Sequence, residues 1–250
     1  MIDILPAGLT LWEMAAGLSG IAIGGFLRGF LGFGAALLIV PVLTLIVTPV
    51  EAVVIFVLME IPNVIYLMPS ALREFELRRI SFMILGMLIG IPAGSYILVS
   101  VDSNSIKLAI STVVLLLVVM LASGWKIKGK IGPHIMLLTG IIGGTMHGSV
   151  GLGGPPFVTI LLSRIRNPLK TRANIVMVLN CLSIFTAISL LSYGTINTEL
   201  LVASCVAAPI YILCTATGSH YFRGRGNEYF KKVALIILAF ISLSIIYSII

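Results

Sequence analysis

Apolar residues run along this chain in long unbroken blocks, and the few charges fall between them. Blocks of about 18 or more apolar residues recur from one end to the other, the pattern of helices that cross a bilayer. Ordinary crossings are predicted at 52–70, 80–101, 106–124, 173–193, 199–219 and 229–249. Two runs do not fit. Between Glu13 and Glu51 lie 37 residues whose only charge is Arg28. As one straight helix they reach about 55 Å, against a hydrocarbon core of about 30 Å. Residues 131–163 carry the same excess length. Each run has to break, and Gly29, Gly32 and Gly34 mark the place in the first, Gly148 to Pro156 in the second. Both are read as hairpins, 14–48 and 134–163, that turn at the glycines and leave on the side they entered.

The basic residues decide between hairpins and crossings. Of sixteen Lys and Arg, fourteen fall in 73–79, 126–130, 164–172 and 223–232. With two hairpins all four segments face the cytoplasm, Lys107 faces out and Arg28 sits in the membrane. With single crossings the clusters divide between the faces. The positive-inside rule prefers the hairpins and puts both termini outside. Each half then has one hairpin and three crossings, an odd number, so the halves run in opposite orientations. Residues 1–124 form the first repeat, 125–133 a cytoplasmic linker and 134–250 the second repeat. The expected fold class is all-α: a polytopic helical membrane protein of two inverted-topology repeats, each a broken, re-entrant hairpin plus three transmembrane helices.

The glycine stretches themselves support a duplication. Gly24-Gly25-Phe26-Leu27-Arg28-Gly29-Phe30-Leu31-Gly32-Phe33-Gly34 lies over Gly143-Gly144-Thr145-Met146-His147-Gly148-Ser149-Val150-Gly151-Leu152-Gly153 at a shift of 119 positions. Five glycines coincide and Arg28 falls on His147. At an offset of 120, Glu60 and Asn63 fall on Asn180 and Ser183.

Composition agrees. The chain is 59% hydrophobic and 10% charged, where a soluble domain carries about 25% charged residues. Membrane β-strands would alternate apolar and polar residues, and these blocks do not. The net charge of +7 reads as topology, and no nucleic-acid partner is expected. Met1-Ile2-Asp3-Ile4 has no basic n-region, so no cleaved signal peptide is expected. Cys181, Cys205 and Cys214 lack C-x-x-C spacing and read as small buried hydrophobes.

Broken helices in inverted repeats are a usual build of secondary transporters. A break exposes backbone N–H groups and the positive end of a half-helix, and both attract anions. Substrate-binding candidates are therefore Arg28, Gly29, Gly32, Phe33, Gly34, His147, Gly148, Ser149, Gly151, Gly153, Asn174 and Asn180. The pocket is expected between the two hairpin tips at the midplane. Arg28 is either the fixed cation for an oxyanion, whose geometry its planar fork matches, or the structural partner of Glu60. Glu60 and Asn63 share a helix face; Glu60 either carries a coupling proton or holds Arg28, and a buried acid paired for stability is the plainer role. His147 titrates or donates to the anion, or packs as an ordinary bonded histidine. Ser149, Asn174 and Asn180 are donors to substrate or interhelical glue, and Phe33 closes the site or only packs.

Other chemistry is excluded by context. A G-x-S-x-G elbow needs glycine where His147 stands and a preceding strand. The glycine run lacks the βαβ setting of a nucleotide fingerprint. His134, His147 and His220 are scattered, and no metal site or other cofactor is expected. The expected partners are a small anionic substrate, the lipid bilayer and a coupling proton, with the oligomeric state left open.

The repeated motif, G-G-F-L-R-G-F-L-G-F-G-A-A-L-L-I-V-P at 24–41 and G-G-T-M-H-G-S-V-G-L-G-G-P-P at 143–156, resembles the TauE/SafE sulfite exporter family, also called the toluene sulfonate uptake permeases. The resemblance covers essentially the whole chain, including Lys170-Thr171-Arg172-Ala173-Asn174. It implies an inner-membrane transporter, not an enzyme, that moves sulfite, sulfoacetate or other organosulfonates, with both hairpins facing the substrate. His147 departs from the small or polar residues expected there, so substrate identity does not carry over. The rivals are a channel-like permease for sulfate or carboxylates, a non-transporting scaffold and, last, an intramembrane hydrolase.

Overall fold

The computed structural model describes residues 10–31, 34–123, 131–164 and 168–222. Among them are α1 (Leu11–Leu31), α2 (Ala35–Thr44), α3 (Pro49–Leu72), α4 (Leu77–Ser100), α5 (Ser103–Ala122), α6 (Pro133–Val150), α7 (Gly154–Arg164), α8 (Pro168–Ser192) and α9 (Thr198–Phe222), with no strand. The fold is all-α. α3, α4, α5, α8 and α9 are each long and apolar enough to cross a membrane, while α2 and α7 are shorter apolar helices. This is a polytopic helical membrane protein. The segment 229–249, most of the linker 125–133, and Gly32 and Phe33 lie outside the described residues.

Short polar signals start the helices. Thr10 and Glu13 form a reciprocal cap on α1: the Thr10 N–H donates to Glu13 Oε2 at 2.8 Å and the Glu13 N–H to Thr10 Oγ1 at 3.3 Å. Thr48 and Glu51 repeat this on α3, at 2.8 and 3.4 Å. Asp102 accepts the Ser105 N–H at 2.9 Å on α5, and Asn197 the Leu200 N–H at 2.8 Å on α9. Each cap satisfies a donor the helix itself leaves bare.

The chain divides into two compact units, and neither follows a chain half. The first holds α1, α2, α3 up to Met59, α5 and α9; the second holds α3 from Glu60, α4, α6, α7 and α8.

In the first unit α1 and α2 fold back on each other, Gly20 facing Val42 and Gly24 facing Ile39. α1 also packs on α9: Gly25 meets Tyr211 and Cys214, Gly29 meets Thr215 and Ser219, and Gly218 meets the backbone of Phe26 and Phe30. Rising numbers meet rising numbers, so α1 and α9 run parallel.

The second unit repeats this pattern. α6 and α7 fold back on each other, with Phe157 against Gly143. α4 and α6 run parallel, Gly86, Gly90 and Gly94 lying on Gly140, Gly144 and Gly148. A Cβ on Gly90 would run into the Ile141 carbonyl oxygen. Small residues at every fourth position let two backbones approach closely, which is how helices associate in lipid without a hydrophobic drive. α7 starts opposite Leu179, near the middle of α8, and ends four positions before α8 begins. Its eleven residues rise about 16 Å, half a hydrocarbon core. The start of α8 is tied to the start of α4. Lys170 Nζ lies 2.7 Å from Glu76 Oε1, and the Glu76 N–H donates to Asn174 Oδ1 at 3.1 Å.

Candidate substrate site

Arg28 lies in the last turn of α1, three residues before that helix ends, and exposes 8% of its surface. Phe26 and Phe30 stack on each other across it in sequence, with ring centroids 6.2 Å apart. On the far side of the turn Gly34 has φ 96, a left-handed conformation, and α2 begins there without a side-chain cap. Glycine is the residue that adopts this φ at no steric cost. The Leu37 N–H donates to the Gly34 carbonyl at 3.1 Å. The buried Arg28 thus stands in the last turn of α1, and the next described helix, of ten residues, starts at Ala35. The guanidinium and that helix start each carry positive potential.

The tip in the second unit is built differently. Gly151, at φ 74, ends α6, its N–H donating to the His147 carbonyl at 2.9 Å. Gly153 then presses on the Gly143 carbonyl and on His147 Cβ, so no side chain fits there. Its N–H donates to His147 Nδ1 at 3.4 Å. That bond makes Nδ1 the acceptor and leaves the proton of the neutral ring on Nε2. His147 is 5% exposed. Ser149 donates to the Thr145 carbonyl at 2.7 Å, so its hydroxyl proton is held inside its own helix while its oxygen can still accept.

A third constellation joins α3 to α8 inside the second unit. Glu60 is 2% exposed, and Asn63 is buried one turn further along α3. Ser183 donates to Glu60 Oε2 at 2.9 Å and also lies 3.2 Å from the Leu179 carbonyl. A hydroxyl has one proton. With Glu60 ionised, Ser183 donates to the carboxylate. With Glu60 protonated, the acid donates to Ser183, whose own proton turns to Leu179. Either state is bonded. Ser183 was not among the sequence candidates; the 120-residue offset that lays it on Asn63 is the signal that points to it.

Asn174 spends both ends of its amide elsewhere, accepting from the Glu76 N–H and donating to the Lys170 carbonyl at 2.7 Å. It clamps the α4 and α8 starts. Asn180 reaches Met68 Sδ at 3.9 Å through Nδ2. Arg28, Gly29 and Gly34 thus belong to the first unit; Glu60, Asn63, His147, Gly148, Ser149, Gly151, Gly153, Asn174 and Asn180 belong to the second. Among the described residues no group of three His, Cys, Asp or Glu side chains is placed to hold a metal ion.

Comparison with known proteins gives two matches of different kinds. The model of the family described as sulfite exporter TauE/SafE matches residues 16–245. A protein of Cupriavidus necator described as a probable sulfite/organosulfonate exporter TauE is 21% identical over 210 residues, which cover 80% of this chain and 81% of that protein. No solved structure matches.

Proposed function

This chain belongs to the TauE/SafE sulfite exporter family, and from that premise we propose that it is a secondary or facilitative transporter of sulfite or small organosulfonates. The observation that carries the reading is the buried Arg28 at a hairpin tip closed by a left-handed glycine. A guanidinium at membrane depth is costly and is kept where it has a ligand or a partner. Sulfite and sulfonate oxygens match its planar donor fork, and the start of α2 adds backbone N–H groups of the same sign.

The proposed setting is the inner membrane, with the basic segments 73–79, 126–130, 164–172 and 223–232 cytoplasmic and both termini outside. The Cupriavidus necator protein is named an exporter, which favours outward movement here. A coupling proton on Glu60 fits the two-way bonding of Ser183.

Counterflow in liposomes tests the reading. Labelled sulfite or sulfoacetate outside vesicles preloaded with the unlabelled anion should accumulate transiently, which an open channel does not produce. Arg28→Ala should lower the rate at least about tenfold, and it should abolish the thermal stabilisation that bound anion gives the purified protein. Unchanged counterflow and unchanged stabilisation in Arg28→Ala would remove Arg28 from the site.

A further inference from the structure

Three helix ends of the second unit meet at one place. Going along α3 from Glu60 to Met68, the partners on α8 go back from Ser183 to Asn180, so these two helices are antiparallel. Against α4 the order is kept. Glu76 bonds Lys170 and Asn174, and the Tyr193 hydroxyl donates to the Pro92 carbonyl at 3.5 Å, so α8 and α4 are parallel. The end of α3, the start of α4 and the start of α8 therefore lie together. The turn from α3 to α4 is tight, with the Glu74 and Phe75 N–H groups both donating to the Ala71 carbonyl, at 3.2 and 3.1 Å.

This end is basic. Residues 73–79 and 168–174 hold five Lys and Arg against two acids. Lys170 takes up one acid, Glu76, and the other, Glu74, is exposed. Arg73, Arg78 and Arg172 are also exposed, and among the described residues their side chains make no ion pair or hydrogen bond. Arg78 stands two residues past Glu76, and Arg172 lies between Lys170 and Asn174, the two residues that Glu76 bonds. The Glu76 clamp thus brings together the two turns that carry these guanidiniums. From Arg78 an apolar stripe runs along one face of α4, where Phe82, Leu85 and Ile89 follow at helical spacing, all exposed. Arg78 to Ile89 is a rise of about 16 Å, the depth of one leaflet's hydrocarbon.

We propose that this end of the second unit binds an anionic phospholipid, its phosphate at Arg78 and Arg172 with Arg73 close by, and an acyl chain along Phe82, Leu85 and Ile89. Each part selects the ligand. Guanidinium forks pair with phosphate oxygens bidentately. The excess of positive charge favours a headgroup that brings no cation of its own, so phosphatidylglycerol over phosphatidylcholine. The stripe gives a chain-bearing lipid contact that a free anion lacks, because a soluble anion engages the guanidiniums alone. Arg28 plays no part in it and belongs to the first unit. The inference rests on the chain crossing the membrane, and it is independent of which anion the protein carries.

Native mass spectrometry of the purified full-length protein, titrated with dioleoyl phosphatidylglycerol or dioleoyl phosphatidylcholine, measures the binding of each lipid. Phosphatidylglycerol should bind at least about fivefold more tightly, and added salt should weaken it. Glycerol phosphate, which has the charge without the chains, should bind far more weakly than the lipid. Arg78→Gln combined with Arg172→Gln should abolish the preference for phosphatidylglycerol, while Lys107→Gln, the same charge change on α5, should leave it intact. Both replaced arginines are exposed and unbonded, so folding should be spared. If the pair does not fold, Arg78→Gln alone should weaken phosphatidylglycerol binding at least about twofold. Melting temperature is a second readout: phosphatidylglycerol should raise it in the wild type and not in the pair. Equal affinity for the two lipids, glycerol phosphate bound as tightly as the lipid, or arginine variants that keep the preference each overturn the proposal. No readout uses a transported anion, so a failure here leaves the counterflow result standing, and a failed counterflow leaves the lipid result to be judged alone.

Discussion

Glu13 and Asp102 each accept backbone N–H bonds at a helix start, from Thr10 and Ser105, and those bonds hold both carboxyls below the usual range. A carboxyl whose pKa is depressed in the folded state stabilises the fold fully above its unfolded pKa, and that stability is lost as pH falls through the folded value. The thermal unfolding midpoint in detergent should therefore hold level from about pH 7 to 5 and fall below about pH 4. Asp102→Asn should reduce the steepness of that fall while keeping the cap, because the amide oxygen still accepts the Ser105 N–H. Single positions also show where the sequence could be read and where it could not. Arg28 and Glu60 stood out because a charge inside an apolar block has few explanations. Asn174 did not declare itself as a clamp between α4 and α8, since the same amide serves equally well as substrate donor or as glue. Nothing in its spacing distinguishes these roles.

Helices were legible because hydropathy over twenty residues reports bilayer length directly, and the all-α class followed from that. The glycine stretches were legible as breaks for the same reason, since no straight helix of that length fits. Which helices the glycines would press together was not. A run of small residues states that a close partner exists without naming it. The structure answers with α9 for α1 and α4 for α6, and it grades the contacts. A Cβ on Gly90 collides with the Ile141 carbonyl oxygen, which the helix cannot move. A Cβ on Gly144 would come no nearer than 3.1 Å, to Met87 Cα. Gly90→Ala should thus destabilise the protein by about 1–3 kcal/mol, as overpacked cores do, and Gly144→Ala by distinctly less. Unfolding monitored in detergent separates the two. Equal losses would mean that the Ile141 carbonyl contact does not set the cost at Gly90.

Each compact unit draws on both halves of the chain, with α1 packed on α9 in the first and α4 on α6 in the second. This arrangement escaped the sequence because repeats show only which segments are alike. It makes a testable demand: residues 1–124 and 125–250 produced together in one cell should rebuild a stable protein, while either piece made alone should be degraded. Pulse-labelling and recovery of the pair through one affinity tag measure this. The demand has a temporal side as well. α1 leaves the ribosome well before the α9 surface that receives Gly25 and Gly29. Until α9 has been made, the α1–α2 hairpin must be sheltered by lipid or by the insertion machinery, and it takes its final seat only afterwards.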